Sequence, residues 1–122
     1  MTRSTLATLG ALILTAGCAA ATSTAESPAE SKDRAECKEY ARPFEHSGRM
    51  KDACLISRGY TVSYSTNGGG VDVTARAQPR PAVEAVATDL KACNDQSGVG
   101  YTGRLQFNRC MTPRGYAVRS GD

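Results

Sequence analysis

The sequence predicts an α+β domain in which two disulfide-stapled helical hairpins, produced by an internal duplication, pack with a small antiparallel sheet. Three observations lead to this prediction: cysteines at a repeated spacing, helix-capping and helix-stopping residues around them, and an alternating apolar stretch interrupted by Asn-Gly. The chain has 122 residues, enough for one small domain. Aromatic residues make up 6 % of it and none is Trp, so the core is thin and cross-links are expected to supplement it.

Four cysteines occur as two pairs with the same 17-residue separation: Cys37 and Cys54, then Cys93 and Cys110. A shift of 56 residues also superposes Cys-Leu-Ile-Ser-Arg-Gly-Tyr at 54–60 on Cys-Met-Thr-Pro-Arg-Gly-Tyr at 110–116. The match predicts one domain over 28–122, made of two repeats at about 28–76 and 81–122. Four cysteines allow three connectivities, and the duplication favours pairing within each copy. Each closed loop is then expected to contribute roughly 3 kcal/mol.

Capping residues bound the first helical hairpin. Ser27-Pro28-Ala29-Glu30 is a capping box with proline at the first helical position. Pro43 is expected to end this helix near Arg42. Ser47 is predicted to cap a second helix that reaches Arg58.

The second hairpin shows the same organisation. Pro81 is expected to open a helix whose apolar face follows helical spacing: Val83, Val86, Ala87 and Leu90. The glycine-containing segment 98–103 breaks this helix. Thr102 is predicted to cap the next one, which runs through Phe107 to Arg114.

The repeated Arg-Gly-Tyr string is typical of a Schellman helix ending. Gly59 would take the left-handed position past the helix, and Tyr60 would fold back onto Leu55. Pro113 strains the second copy, because proline removes a helical N–H and disfavours helix at the preceding residue. The alternative is a pair of binding sites formed by Arg58, Tyr60, Arg114 and Tyr116.

A β-hairpin is predicted between the two helical hairpins. Residues 60–65 alternate between apolar and polar, 66–70 contain the Asn-Gly turn, and 71–76 alternate again. By repeat symmetry, residues 116–119 could add a third strand. The triple glycine within the turn lacks the lysine and hydroxyl residue of a phosphate-binding loop.

The first residues carry a targeting signal. One charge, Arg3, precedes an uncharged run over 6–17 that is too short to span a membrane and has the form of a secretory signal. The string Leu14-Thr15-Ala16-Gly17-Cys18 resembles the lipobox of bacterial prolipoproteins; an ordinary signal peptide with a chance cysteine is the alternative. The resemblance implies cleavage after residue 17 and lipid attachment at Cys18. Two or more acyl chains make such an anchor stable.

The resemblance also implies a location. Ala19, which follows the cysteine, implies the periplasmic face of the outer membrane, and 18–27 would form the lipidated cysteine and a flexible tether. Small exported proteobacterial lipoproteins with a Cys-Met-x-x-Arg/Lys-Gly-Tyr segment are similar to this chain at Cys54 and Cys110. The resemblance to that group implies where this protein is located more than how it acts.

The function expected from these features is a non-enzymatic binding or structural module of the cell envelope. Its partners would be the membrane, through the lipid, and an unknown envelope protein or peptidoglycan. The net charge of +3 is too weak to indicate nucleic-acid binding. No cofactor, catalytic residue or metal site is predicted. Four exposed basic residues could contact anionic lipid or peptidoglycan, although solvated arginines are commoner: Arg76, Arg80, Arg104 and Arg109.

The competing hypothesis is a small periplasmic metal-binding or hydrolytic protein centred on His46, the single histidine. A zinc site from Cys37, His46 and Cys54 has suitable ligand types. It lacks a close Cys-x-x-Cys pair, and the second copy has no histidine. Ser47 as a nucleophile would need a positioned base and an orienting group.

Overall fold

A computed structural model describes residues 26–120. Along the chain these residues form α1 Pro28–Ala41, α2 Ser47–Ser57, β1 Val62–Thr66, β2 Gly69–Ala75, α3 Val83–Gln96, α4 Gly100–Met111, a 3-10 turn Thr112–Arg114 and β3 Tyr116–Ser120. The predicted α+β architecture is confirmed. The signal peptide, Cys18 and most of the tether lie outside the described residues. Across residues 26–120, no helix combines the length and the apolar character needed to cross a bilayer.

One disulfide closes each helix pair. Cys37–Cys54 joins α1 to α2, and Cys93–Cys110 joins α3 to α4, with Cα atoms 5.5 Å apart in both. The predicted connectivity is therefore confirmed.

The helix starts agree only in part with the capping prediction. The Ser27 hydroxyl accepts the Glu30 N–H at 3.1 Å, as expected of an N-cap. The predicted cap at Ser47 is wrong, because α2 already includes this residue and His46 takes the N-cap position without a side-chain bond. The His46 carbonyl accepts the Met50 N–H at 3.1 Å, so the helix begins one residue earlier than expected.

The second helix pair departs from prediction at both starts. Thr102 lies inside α4, because Gly100, at φ 69°, lets the chain turn into the helix three residues sooner. The helix α3 begins at Val83 and not at Pro81. The Pro81 carbonyl accepts the Ser57 hydroxyl at 2.8 Å, which holds it to the end of α2.

The helix ends follow the repeated string. At the end of α2, the Tyr60 N–H donates to the Leu55 carbonyl and the Gly59 N–H to that of Ile56, at 3.1 and 2.9 Å. With Gly59 at φ 95°, this is the predicted Schellman ending. The predicted continuation of α4 to Arg114 is wrong. The α-helix stops at Met111 and tightens into the 3-10 turn that contains the proline.

The sheet has the order β1-β2-β3, and both pairings are antiparallel. Only Asn67 and Gly68 connect β1 to β2, so the turn is shorter than the predicted 66–70. The predicted first strand starts two residues later, at Val62. Val73, in the central strand, lies opposite Val62 in β1 and Val118 in β3. The two outer strands, which are 56 residues apart in sequence, therefore meet β2 in the same register.

The core lies between α2, α3 and α4 and the inner face of the sheet. Its largest fully buried side chains are Tyr116, Phe107, Leu55, Ile56, Leu90 and Met111. The helices α2 and α4 both contact the sheet, whereas α3 packs against both of them and α1 packs against α2. Only Cys37 and Ala41 of α1 are buried.

Candidate functional site

The Arg-Gly-Tyr string of the first copy forms a polar cluster with α1, here named the first clasp (Asp33, Glu36, Arg58 and Tyr60). The Arg58 guanidinium donates to Asp33 Oδ1 at 2.5 Å and to Glu36 Oε2 at 2.6 Å. The Tyr60 hydroxyl donates to Asp33 Oδ2 at 2.5 Å. The hydrogen bond from Tyr60, and next the one from Arg58, lower the pKa of the Asp33 carboxyl.

The second copy forms the second clasp (Asp89, Arg114 and Tyr116). The Arg114 guanidinium donates to Asp89 Oδ1 and the Tyr116 hydroxyl to Asp89 Oδ2, both at 2.9 Å. Burial raises the pKa of Tyr116, and its hydrogen bond to Asp89 raises it further. Each clasp ties the chain leaving a second helix back to the first helix of the same pair.

The four side chains considered as binding residues are therefore occupied within the chain. A ligand at either clasp would compete with intramolecular charge-assisted hydrogen bonds. A binding role for them stays a prediction, whereas their structural role is visible. The acceptors Asp33 and Asp89 were not singled out from the sequence, although they too are 56 residues apart.

Two of the four other arginines also make intramolecular bonds. Arg80 donates to the Arg58 carbonyl at the end of α2 at 2.8 Å, and Arg104 donates to the Gly68 carbonyl at 2.9 Å. Arg76 and Arg109 are exposed.

A different group of cations lines the cleft between α1 and α2, here named the cationic groove. It consists of a cavity of about 400 Å³ and an adjoining one of about 200 Å³, which share Lys38 and Lys51. The lining residues of the two together are Arg34, Ala35, Lys38, Ala41, Arg42, Ser47, Gly48, Lys51 and Leu55. Every charged side chain among them is basic.

The two lysines are the free charges of this groove. Arg34 is paired with Glu30 at 2.9 Å, and Arg42 with Glu39 at 2.6 Å. Within residues 26–120, Lys38 and Lys51 have no ion-pair partner, and both are exposed. They come from facing helices, so an anion between them would meet two ammonium groups.

The groove also contains the first turn of α2. The earliest amides of a helix have no intrahelical acceptor, and here no side chain caps them. Gly48 leaves this turn open, because a Cβ built on it meets nothing within 4 Å. The amides add to the attraction for a negative group that the lysines already provide.

A second polar cavity, of about 410 Å³, surrounds His46. Its lining residues are Glu45, His46, Ser47, Gly48, Arg49, Asp52, Tyr64, Ser65 and Asn94. Burial raises the pKa of Asp52, against the opposing effect of Lys51 and Arg34. The Nε atom of Arg49 is buried without a hydrogen-bond partner within the described chain.

The zinc site considered from sequence does not form. Cys37 and Cys54 are bonded to each other, so neither supplies the thiolate that zinc requires. Over residues 26–120, no group of three or more His, Cys, Asp or Glu side chains is placed to hold a metal ion.

No protein-family model, curated protein or solved structure matches this chain.

Proposed function

We propose that this protein is a lipid-anchored, non-enzymatic module of the bacterial envelope, held at the periplasmic face of the outer membrane, which binds another envelope component. The observation that carries the proposal is the combination of a lipobox ending at Cys18 with an open groove whose two lysines have no ion-pair partner among residues 26–120. The first feature supports attachment and the second supports binding.

The anchor places the domain close to a membrane. The signal over 1–17 would be removed, and Cys18 would carry the acyl chains that make attachment stable. Residues 19–27 would span about 30 Å if fully extended, before α1 begins at Pro28. The folded domain would therefore work within a short distance of the lipid surface.

Binding is favoured over catalysis because the cysteines and the repeated Arg-Tyr pairs of the described chain are committed to structure. The thiols of the two helix pairs are joined as disulfides, and both repeated Arg-Tyr pairs are held in clasps. The cationic groove, in contrast, is accessible and its lysines are unpaired within the described residues. Such a surface attracts negatively charged groups by electrostatics and needs no reactive side chain.

The cavity around His46 supports a second candidate, a small hydrolytic protein. A half-buried carboxyl with a raised pKa in the same cavity as a histidine is a combination also found at catalytic sites. Complementation of a deletion strain separates the two candidates. A binding module predicts that His46→Ala restores the wild-type phenotype and that Lys38→Gln combined with Lys51→Gln does not. The reverse result would favour the hydrolytic candidate.

Metabolic labelling with a palmitate analogue tests the anchor. The wild-type chain should incorporate label and sediment with outer membranes, and Cys18→Ala should lose both properties. Thr15→Leu, which brings the lipobox closer to its common form, is the matched control and should label normally. An unlabelled wild-type chain, or one found in the soluble periplasm, would refute the proposal.

A further inference from the structure

The larger cavity of the cationic groove has a counterpart in the second copy. With the 56-residue shift, its lining residues correspond to Asn94, Ser97, Gly98, Gly103, Arg104 and Phe107. Both sets lie at the end of one antiparallel helix pair, where the first helix ends and the second begins. The two surfaces are therefore comparable position by position.

In the second copy this surface is occupied by the β1–β2 turn. The Asn67 N–H donates to Asn94 Oδ1 at 2.9 Å, and the Asn67 side-chain amide donates to the Asn94 carbonyl at 3.0 Å. Arg104 donates to the Gly68 carbonyl at 2.9 Å. The backbones are so close that a Cβ on Gly68 would lie 2.6 Å from the Arg104 nitrogen.

An aromatic contact continues the same docking along the strand. The ring of Phe107, which is fully buried, stacks on that of Tyr64 in β1, with the centroids 5.8 Å apart. A tight turn and the strand that leads into it thus cover the end of the α3–α4 pair. The α3–α4 pair therefore binds a segment of its own chain in the folded protein.

In the first copy no segment of residues 26–120 covers the same place. Lys38 stands where the second copy has Asn94, and Lys51 stands where it has Phe107. Gly48 replaces Arg104, and the space before it is empty. The positions that bind the turn in the second copy are thus open in the first, with basic side chains in place of the amide and the ring.

We propose that the cationic groove receives an acidic, turn-forming peptide segment of another envelope protein, in the way that the α3–α4 pair holds the β1–β2 turn. Carboxylates flanking the turn would lie between the ammonium groups of Lys38 and Lys51. The β1–β2 turn of a second molecule of this protein is a poor candidate, because residues 66–70 include no acid. This inference rests on the proposed binding function and specifies the kind of partner.

Fluorescence anisotropy with a defined probe tests the inference. The probe is a cyclic peptide with an Asn-Gly turn flanked by glutamates, and the protein is the full processed chain purified from cells in detergent. Lys38→Gln combined with Lys51→Gln should weaken binding tenfold or more. The matched control, Lys32→Gln combined with Lys91→Gln, removes the same charge from exposed lysines outside the groove and should change affinity less than twofold.

A second variant tests the groove without removing any lysine. Gly48→Glu places a carboxylate in open space at the start of α2, where helix polarity favours it. This variant should keep or slightly raise the wild-type melting temperature and lose probe binding at least tenfold. A folded Gly48→Glu protein that binds normally would overturn the inference.

Three other outcomes would also overturn the inference. Equal losses in the groove variant and its control would mean unspecific charge attraction, and undetectable binding to the wild-type chain would exclude this ligand class. Competition by inorganic phosphate as strong as that by the peptide would indicate a phosphate site instead. Palmitate labelling is independent of all these results, so failure here would leave the lipid anchor intact.

Discussion

The two clasps use the same residue types at the same spacing, yet they lie in different environments. Tyr116 is completely buried, whereas Tyr60 remains partly exposed. In the first clasp Arg58 contacts a second carboxylate from Glu36, whose equivalent in the second copy is Ala92. The same local motif is therefore supplemented by a second carboxylate in the first copy and by a buried tyrosine ring in the second.

The first helix of each pair shows the same contrast. α3 packs against both α2 and α4, and its Val86 and Leu90 are fully buried. The equivalent positions of α1 are Glu30 and Arg34, which pair with each other on the outer surface. Polar outer faces are typical of terminal units in repeat proteins, where no further unit has to be covered.

The largest effects are expected from opening either disulfide. Cys37→Ala with Cys54→Ala, and Cys93→Ala with Cys110→Ala, should each lower the free energy of unfolding by about 3 kcal/mol, because the two bridges close loops of the same length. Urea denaturation of both double variants measures the comparison. If either variant keeps wild-type stability, loop closure does not explain the stapling.

Gly103→Ala should be next in size. A Cβ there would lie 1.8 Å from the Gly98 carbonyl oxygen, so backbone would have to move, at a cost of about 2 kcal/mol or more. Gly48→Ala, in the equivalent turn of α2, meets open space and should be neutral or stabilising by about 0.5 kcal/mol. Thermal denaturation distinguishes the two, and similar shifts in both variants would contradict the tighter backbone packing at the start of α4.

Removing one hydroxyl from each clasp separates burial from charge. Tyr116→Phe leaves Asp89 without a buried donor and should cost about 1.5 kcal/mol of unfolding free energy. Tyr60→Phe should cost clearly less, because the Tyr60 ring is partly exposed and water can replace its hydroxyl at Asp33. Chemical denaturation of both variants provides the test; a larger loss at Tyr60 would reverse the proposed difference.

Raising the pH above 10 should also reveal the burial of Tyr116, with a smaller effect on the free energy of unfolding. The pKa of Tyr116 is raised above its ordinary value of 10.0, so the folded state keeps a proton that the unfolded state loses. Its contribution is complete below pH 10 and declines above it, by about 1 kcal/mol at pH 11. Unfolding free energies between pH 8 and 11 should fall less steeply for Tyr116→Phe than for the wild type. Parallel slopes would mean that this hydroxyl does not titrate differently on folding.

Local structure is predictable from the sequence where one residue type has one strong local role. The repeated cysteine spacing predicted both disulfides, and Gly59 predicted the helix ending, because a left-handed position after a helix strongly favours glycine. Ser47 and Thr102 were weaker signals. A hydroxyl can cap a helix, but α2 begins earlier through the bond to the His46 carbonyl. The helix α4 begins earlier because Gly100 takes the left-handed conformation.

The candidate site was less accessible from sequence because its parts are distant in the chain. Lys38 and Lys51 are ordinary surface lysines until α1 and α2 fold antiparallel and place them in one groove. The acceptor of the first clasp, Asp33, likewise lies 25 residues before Arg58. Capping rules describe neighbours within a few residues and contain no information on such tertiary contacts.

The position of Val73 limits which side chains the sheet can accept there. Because both outer strands pair with one central strand, a substitution of Val73 changes the packing against Val62 and Val118 at the same time. A side chain at this position must therefore fit both halves, whereas the surface residues of the two helix pairs can differ, as Lys38 and Asn94 do.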